Sequence, residues 1–137
     1  MHLVRNLARQ LPSEWLHQEV SLSAYLFPSV PGPTSLRIDI GIVDPARLSP
    51  SLTAQEMGEV RWDAFIEVKF RGNSPGFEFA AAPTSSIASD VEKLQRLRAH
   101  CDHALVVVVE EVPPLRRADI EQLESRGPDV ALRFVRP

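Results

Sequence analysis

The chain has a single cysteine, Cys101, in 137 residues, so no internal disulfide can staple it. A lone cysteine fits a reduced compartment, and a cytoplasmic location is expected. Long apolar stretches are also missing. The longest, Ala104 to Val109, has a strand's length and falls far short of the ~20 residues a bilayer-spanning helix needs. The start, Met1-His2-Leu3-Val4-Arg5-Asn6, lacks a signal peptide's apolar core, so neither export nor a membrane partner is expected. Excess positive charge is absent too: 15 Lys and Arg stand against 18 Asp and Glu, for a net charge of −3. That excludes coating nucleic acid by bulk charge, though not a local nucleic-acid site. The turn Gly72-Asn73-Ser74-Pro75-Gly76 lacks the lysine and Ser/Thr of a phosphate-binding loop. His100-Cys101-Asp102-His103 has no second Cys/His cluster with which to build a zinc site. Histidines there are explained by a helix C-terminus, and Cys101 by a buried apolar face.

What is present is an ordinary globular composition, 44% apolar and 24% charged. The length predicts one domain over residues 1–137, with a core that needs neither disulfide nor metal to hold it. No internal repeat is visible, and the 12 prolines fall mainly where elements break.

Leu3, Leu7 and Leu11 recur at helical spacing, and Pro12 stops that first helix. From Trp15 to Ser23, Leu16, Gln18, Val20 and Leu22 share one parity, which reads as an alternating strand, although a helix could also hold Trp15, Leu16 and Glu19. Pro28 to Thr34 is a turn or loop by composition. Ser35 to Val43 is the next strand, with Leu36, Ile38, Ile40 and Ile42 on one face and Arg37, Asp39 and Gly41 on the other. Pro45 to Gly58 is a loop with room for one helical turn after Thr53. Arg61 to Phe70 is a third strand, with Ala64, Ile66, Val68 and Phe70 opposite Phe65, Glu67 and Lys69. Arg71 to Pro83 is a flexible connection. A helix follows Ser85, capped either at Ser89, where Ser89-Asp90-Val91-Glu92 has capping-box form, or one turn earlier at Ser86. Ala104 to Glu110 is a β-branched central strand, Arg116 to Ser125 a helix ended by Gly127-Pro128, and Val130 to Val135 a short last strand. The order α-β-β-β-α-β-α-β predicts an α/β fold, a mixed sheet with helices packed on it. Trp15, Trp62, Phe65 and Phe70 are expected to pack rather than to stack on bases.

The outward parity of these strands carries the chemistry. Asp39 interrupts an otherwise apolar strand, and Glu67 and Lys69, two apart, project from one face about 7 Å from each other. If the strands pair, two carboxylates and one ammonium share a small area. A divalent cation neutralises such carboxylates, and hard oxygen donors suit Mg²⁺ or Mn²⁺. A lysine beside that cation can hold the attacking water and stabilise charge on a phosphoryl oxygen. The bland alternative is a solvated strand in which Glu67 and Lys69 merely pair.

An apolar strand bearing one Asp, then aromatic-Ile-Glu-Val-Lys-Phe, then a helix and a β-branched strand resembles the PD-(D/E)XK nuclease superfamily, the restriction-endonuclease-like fold. The match runs from about Leu3 to Glu110, with 27 residues between Asp39 and Glu67. The family's proline before the Asp is replaced by Ile38. The resemblance implies a metal-dependent endonuclease in which Asp39, Glu67 and the Val68 carbonyl bind Mg²⁺ or Mn²⁺ and Lys69 positions the water. An upstream acid, Glu19 or else Glu14, orients the water or a second ion. Asp90-Val91-Glu92-Lys93-Leu94 is similar to the helix that follows in many relatives, where Lys93 or Gln95 approaches the site. Arg116 and Arg117 are candidate phosphate contacts, with DNA the expected nucleic acid. The rival is a non-catalytic module of the same fold that assembles with a partner or binds nucleic acid. The short length favours this rival, and a homodimer spanning a duplex, or a partner protein, would answer that for the nuclease.

Overall fold

The computed structural model describes Arg5 and residues 9–23, 35–48, 60–72, 85–111 and 113–136. The strands are β1 (Leu16–Ser23), β2 (Ser35–Ile42), β3 (Trp62–Arg71), β4 (Cys101–Glu110) and β5 (Ala131–Val135), and the helices are α1 (Ser85–Arg96) and α2 (Arg117–Arg126). They form an α/β fold with one five-stranded sheet in the order β1-β2-β3-β4-β5. The sheet is mixed: β1 and β2 are antiparallel, β4 and β5 parallel. Among the described residues, no helix is long and apolar enough to cross a membrane.

The element order differs from the expected one in its details. Among the described residues, the elements open on a short 3-10 turn, Ser13–Trp15, and two more such turns precede β3 and β4. Of the helix expected over 3–11, Arg5, Arg9 and Gln10 are helical, Leu11 lies in a bend, and the rest falls outside the described residues. The turn expected at 28–34 lies outside them too, as do the helical turn after Thr53 and the connection beyond Gly72. The capping box is a correction. Helix α1 already begins at Ser85, so Ser86 and Ser89 both lie inside it and neither stands at its N-cap position.

By its contacts the chain divides into two compact units, residues 1–65 with 99–102 and residues 66–98 with 103–137. In the first unit, the register pairs Leu16 with Ile42, Gln18 with Ile40 and Val20 with Ile38. Residues opposite each other across an antiparallel ladder share a face, so the apolar parity read on β1 meets that of β2. Ile38, Ile40 and Val43 are fully buried. Gly41 is required by packing: a Cβ there would come within 2.6 Å of the Trp62 indole. His17, opposite Gly41, meets that ring edge-on at 5.7 Å. Glu19 departs from strand geometry with φ +49°, a conformation that costs an L-residue about 1–2 kcal/mol.

In the second unit, Ile87, Val91, Leu94 and Leu97 form the buried stripe of α1 and the residue after it. Val106 and Val108 of β4 are fully buried, as a central strand requires. Leu123 anchors α2. Gly127, at the end of α2, lets the chain close against α1, because a Cβ there would stand 2.5 Å from the Val91 side chain. The ends of β3 and β4 are joined by a hydrogen bond from the Glu111 amide to the Arg71 carbonyl, 2.9 Å.

Candidate functional site

On β3 the charged parity is closed to water at Glu67, 3% exposed, and at Arg71, 5%, while the opposite parity is buried at Trp62 and Ile66 and opens only at Phe70, 39% exposed. This corrects the outward assignment of Glu67 and the bland picture of a solvated strand. It also moves Arg71 from the expected connection into the strand's last position. The reason lies in the partners. A carboxylate buried without one loses several kcal/mol of hydration, but each charge on this face has a counter-ion. Lys93 of α1 places its ammonium on Glu67 Oε1, and Lys69 Nζ lies 3.0 Å from Asp90 Oδ2. Lys93 Nζ is also 3.7 Å from Asp90 Oδ1. Glu67 and Lys69 therefore pair not with each other but crosswise with the helix.

Local geometry explains the crossing. Glu67 and Lys69 are i, i+2 on a strand and project from one face. Asp90 and Lys93 are i, i+3 on a helix and share one side. The helix runs against the strand direction, so Glu67 meets Lys93 while Lys69 meets Asp90. Asp90 was not among the sequence-derived site residues. Its three-residue spacing to Lys93 was the signal that could have found it. Further along β3, Arg71 forms a buried ion pair with Glu110 of β4 at 3.1 Å and donates to the Pro113 carbonyl at 2.9 Å.

Of the remaining predicted residues, Val68 adjoins the cluster, Gln95, Arg116 and Arg117 have other partners, and Asp39, Glu19 and Glu14 belong to the first unit. Gln95 is occupied by a two-way clamp: its amide nitrogen donates to Asp129 Oδ2 and its oxygen accepts from the Asp129 amide, both at 3.0 Å. Arg116 and Arg117 are exposed and pair with Asp119 and Glu121 of their own helix. Val68 is half-buried on β3 beside Glu67. In the first unit, Asp39 is half-buried on β2, Glu19 is exposed on β1 with its strained backbone, and Glu14 is exposed in the Ser13–Trp15 turn.

The first unit has its own charged group. Asp102 accepts from Arg61 Nε and, at 3.3 Å, from Arg47, which also lies 3.6 Å from Asp63. The hydrogen bond from Arg61 is the main cause that holds the Asp102 carboxyl below the usual range, with Arg47 adding to it. Burial, then the charge of Arg61, lowers His100. Cys101 between them is buried. The acid of the His-Cys-Asp-His stretch is thus engaged by arginines.

Among the described residues, no three His, Cys, Asp or Glu side chains converge as a metal centre. The cluster in the second unit offers two carboxylates, Glu67 and Asp90, around a position filled by an ammonium. Hard oxygens on either side of a bound cation fit Mg²⁺ or Mn²⁺, on the condition that Lys93 gives way. The chain matches no protein-family model, no curated protein and no solved structure.

Proposed function

We propose that the chain is a metal-dependent nuclease of restriction-endonuclease-like fold that hydrolyses phosphodiester bonds, with DNA as its substrate and the cytoplasm as its location. What supports this reading is Glu67: a carboxylate buried on a strand, two residues from Lys69, and held by a lysine. Packing four charges into one patch around a buried carboxylate is a poor way to stabilise a fold, since apolar residues of similar volume are often as good or better. Such an arrangement is expected where the charges have work to do.

In this reading Glu67 and the Val68 carbonyl bind Mg²⁺ or Mn²⁺, and Asp39 joins them on the strength of the sequence pattern alone. The cation supplies Lewis acidity and a nucleophilic water at neutral pH. Lys69 positions that water and stabilises negative charge on the phosphoryl oxygens, while Asp90 fixes the Lys69 ammonium at 3.0 Å. Glu19 is the upstream acid. Lys93 and Gln95, with Arg116 and Arg117, are the candidate contacts to the nucleic acid. The net charge of −3 makes binding by a single chain weak and salt-sensitive, so a homodimer or a more basic partner is expected.

A second reading, a non-catalytic nuclease-fold module that assembles with a partner or binds nucleic acid, is favoured by the self-neutralised cluster, in which every charge already has a counter-ion. One assay separates the two. Plasmid DNA, single-stranded DNA and RNA are each incubated with the chain in Mg²⁺, in Mn²⁺ and with chelator. The nuclease reading expects metal-dependent cleavage that Asp39→Ala and Lys69→Ala abolish while circular dichroism stays unchanged. Failure to cut any form under any condition rules it out.

A further inference from the structure

Lys93 projects from the third turn of α1 into the gap between two carboxylates of different elements. Its ammonium contacts Glu67 Oε1 from β3 and stands 3.7 Å from Asp90 Oδ1 on its own helix. The second oxygen of Asp90 is taken by Lys69. The position between Glu67 and Asp90 is thus a cation seat by construction, and its present occupant is tethered to the chain. Glu67 is almost wholly enclosed there, whereas the Lys93 side chain keeps 20% of its surface in water. A four-carbon stem with strong hydration at its tip can swing into solvent through such an opening without moving the helix.

We propose, on the basis of the nuclease reading above, that Lys93 is an internal counter-cation, holding between Glu67 and Asp90 the place that a divalent cation takes on binding. Metal entry and Lys93 departure are then one event, because an ammonium and a divalent ion cannot share Glu67 Oε1. The exchange also changes the local charge. The ion brings +2 where the ammonium brought +1, so the exchange adds one positive charge at the place a phosphodiester would approach. The tethered lysine thus keeps the site less attractive to anions until metal arrives, and it assigns Asp90 as the carboxylate facing Glu67 across the ion.

The test is calorimetric titration of Mn²⁺ into the full chain at pH 8, alongside thermal unfolding with and without Mn²⁺. The proposal expects Lys93→Met to bind Mn²⁺ at least about tenfold more tightly than wild type. It also expects the melting temperature of that variant to be lowered without metal and restored by Mn²⁺. Adding Asp90→Asn to Lys93→Met should remove the gain. Lys93→Arg, which keeps the cation and the fold, should bind Mn²⁺ no more tightly than wild type. Equal or weaker binding by Lys93→Met overturns the proposal. So does tighter binding by Lys93→Arg, which decides the matter if Lys93→Met fails to fold. Absence of Mn²⁺ binding from wild type and every folded variant overturns it as well. The two readings fail separately. Affinity that depends on Lys93 with no cleavage of any nucleic acid retires the nuclease and keeps the seat. Cleavage by wild type with Mn²⁺ affinity indifferent to Lys93 retires the seat and keeps the nuclease.

Discussion

Two charged groups, one in each unit, use the same chemistry in opposite surroundings. In the first unit, Arg47, Arg61, Asp63 and Asp102 form a chain of ion pairs with side chains between 27% and 53% exposed. In the second, Glu67, Arg71 and Glu110 are buried, with Lys69, Asp90 and Lys93 only partly open to water. Water replaces a lost partner in the first group, so its pairs add little to stability and any one can be removed cheaply. In the second group the loss of one partner of the fully buried Arg71–Glu110 pair leaves a charge stranded, and the cost is high although the intact pair contributes little. Under the proposed function, the working charges are those of the second unit.

The comparison breaks first at Glu110. Glu110→Ala leaves the Arg71 guanidinium buried without its carboxylate and should cost about 3–5 kcal/mol in urea unfolding. An unchanged midpoint would mean that water reaches Arg71 and that the contrast between the two groups is false. Next comes Gly127→Ala. The new methyl meets the Val91 side chain at 2.5 Å and the Val91 carbonyl at 3.2 Å, so overpacking should cost about 1–3 kcal/mol, read as a lowered melting temperature.

Smaller effects belong to the first unit. Arg61→Ala should leave the urea midpoint close to wild type, while a pH titration followed by NMR shows the Asp102 carboxyl rising toward its ordinary value. The smallest is a pH effect at His100, whose folded value lies below the ordinary 6.5, first through burial and then through Arg61. A base with a lowered folded value is protonated more readily in the unfolded chain, so unfolding takes up protons and stability rises with pH. Its contribution is complete above about 6.5 and is lost as the pH falls from there through the folded value. His100→Asn should flatten the fall in unfolding free energy just below pH 6.5. An identical slope in the variant would remove His100 from the account.

Much of the sheet was legible in the sequence. Alternation on β1 and β2 gave their faces, and the pairing of Leu16 with Ile42 and Val20 with Ile38 joins the two apolar sides as the parity implied. The valine run gave β4, and Gly127-Pro128 gave the end of α2. The buried face of β3 was not legible in the same way. Alternation shows that Glu67, Lys69 and Arg71 share a side but not what covers it. Only the helix that brings Asp90 and Lys93, and the strand that brings Glu110, turn that side inward. Patterning within one element cannot report a counter-ion supplied by another. Asp90 is hidden for a related reason: within the sequence it stands inside the Ser89-to-Glu92 capping-box pattern, and nothing in that helix reports Lys69 on another element.

The most direct measurement pairs stability with cleavage in Lys69→Met. Lys93 remains near Asp90 in that variant, so the fold keeps most of its charge balance. The account predicts a melting curve close to wild type together with a loss of about 100-fold or more in Mg²⁺-dependent DNA cleavage. Cleavage at the wild-type rate by Lys69→Met, or none by the wild-type protein with either metal, would contradict it.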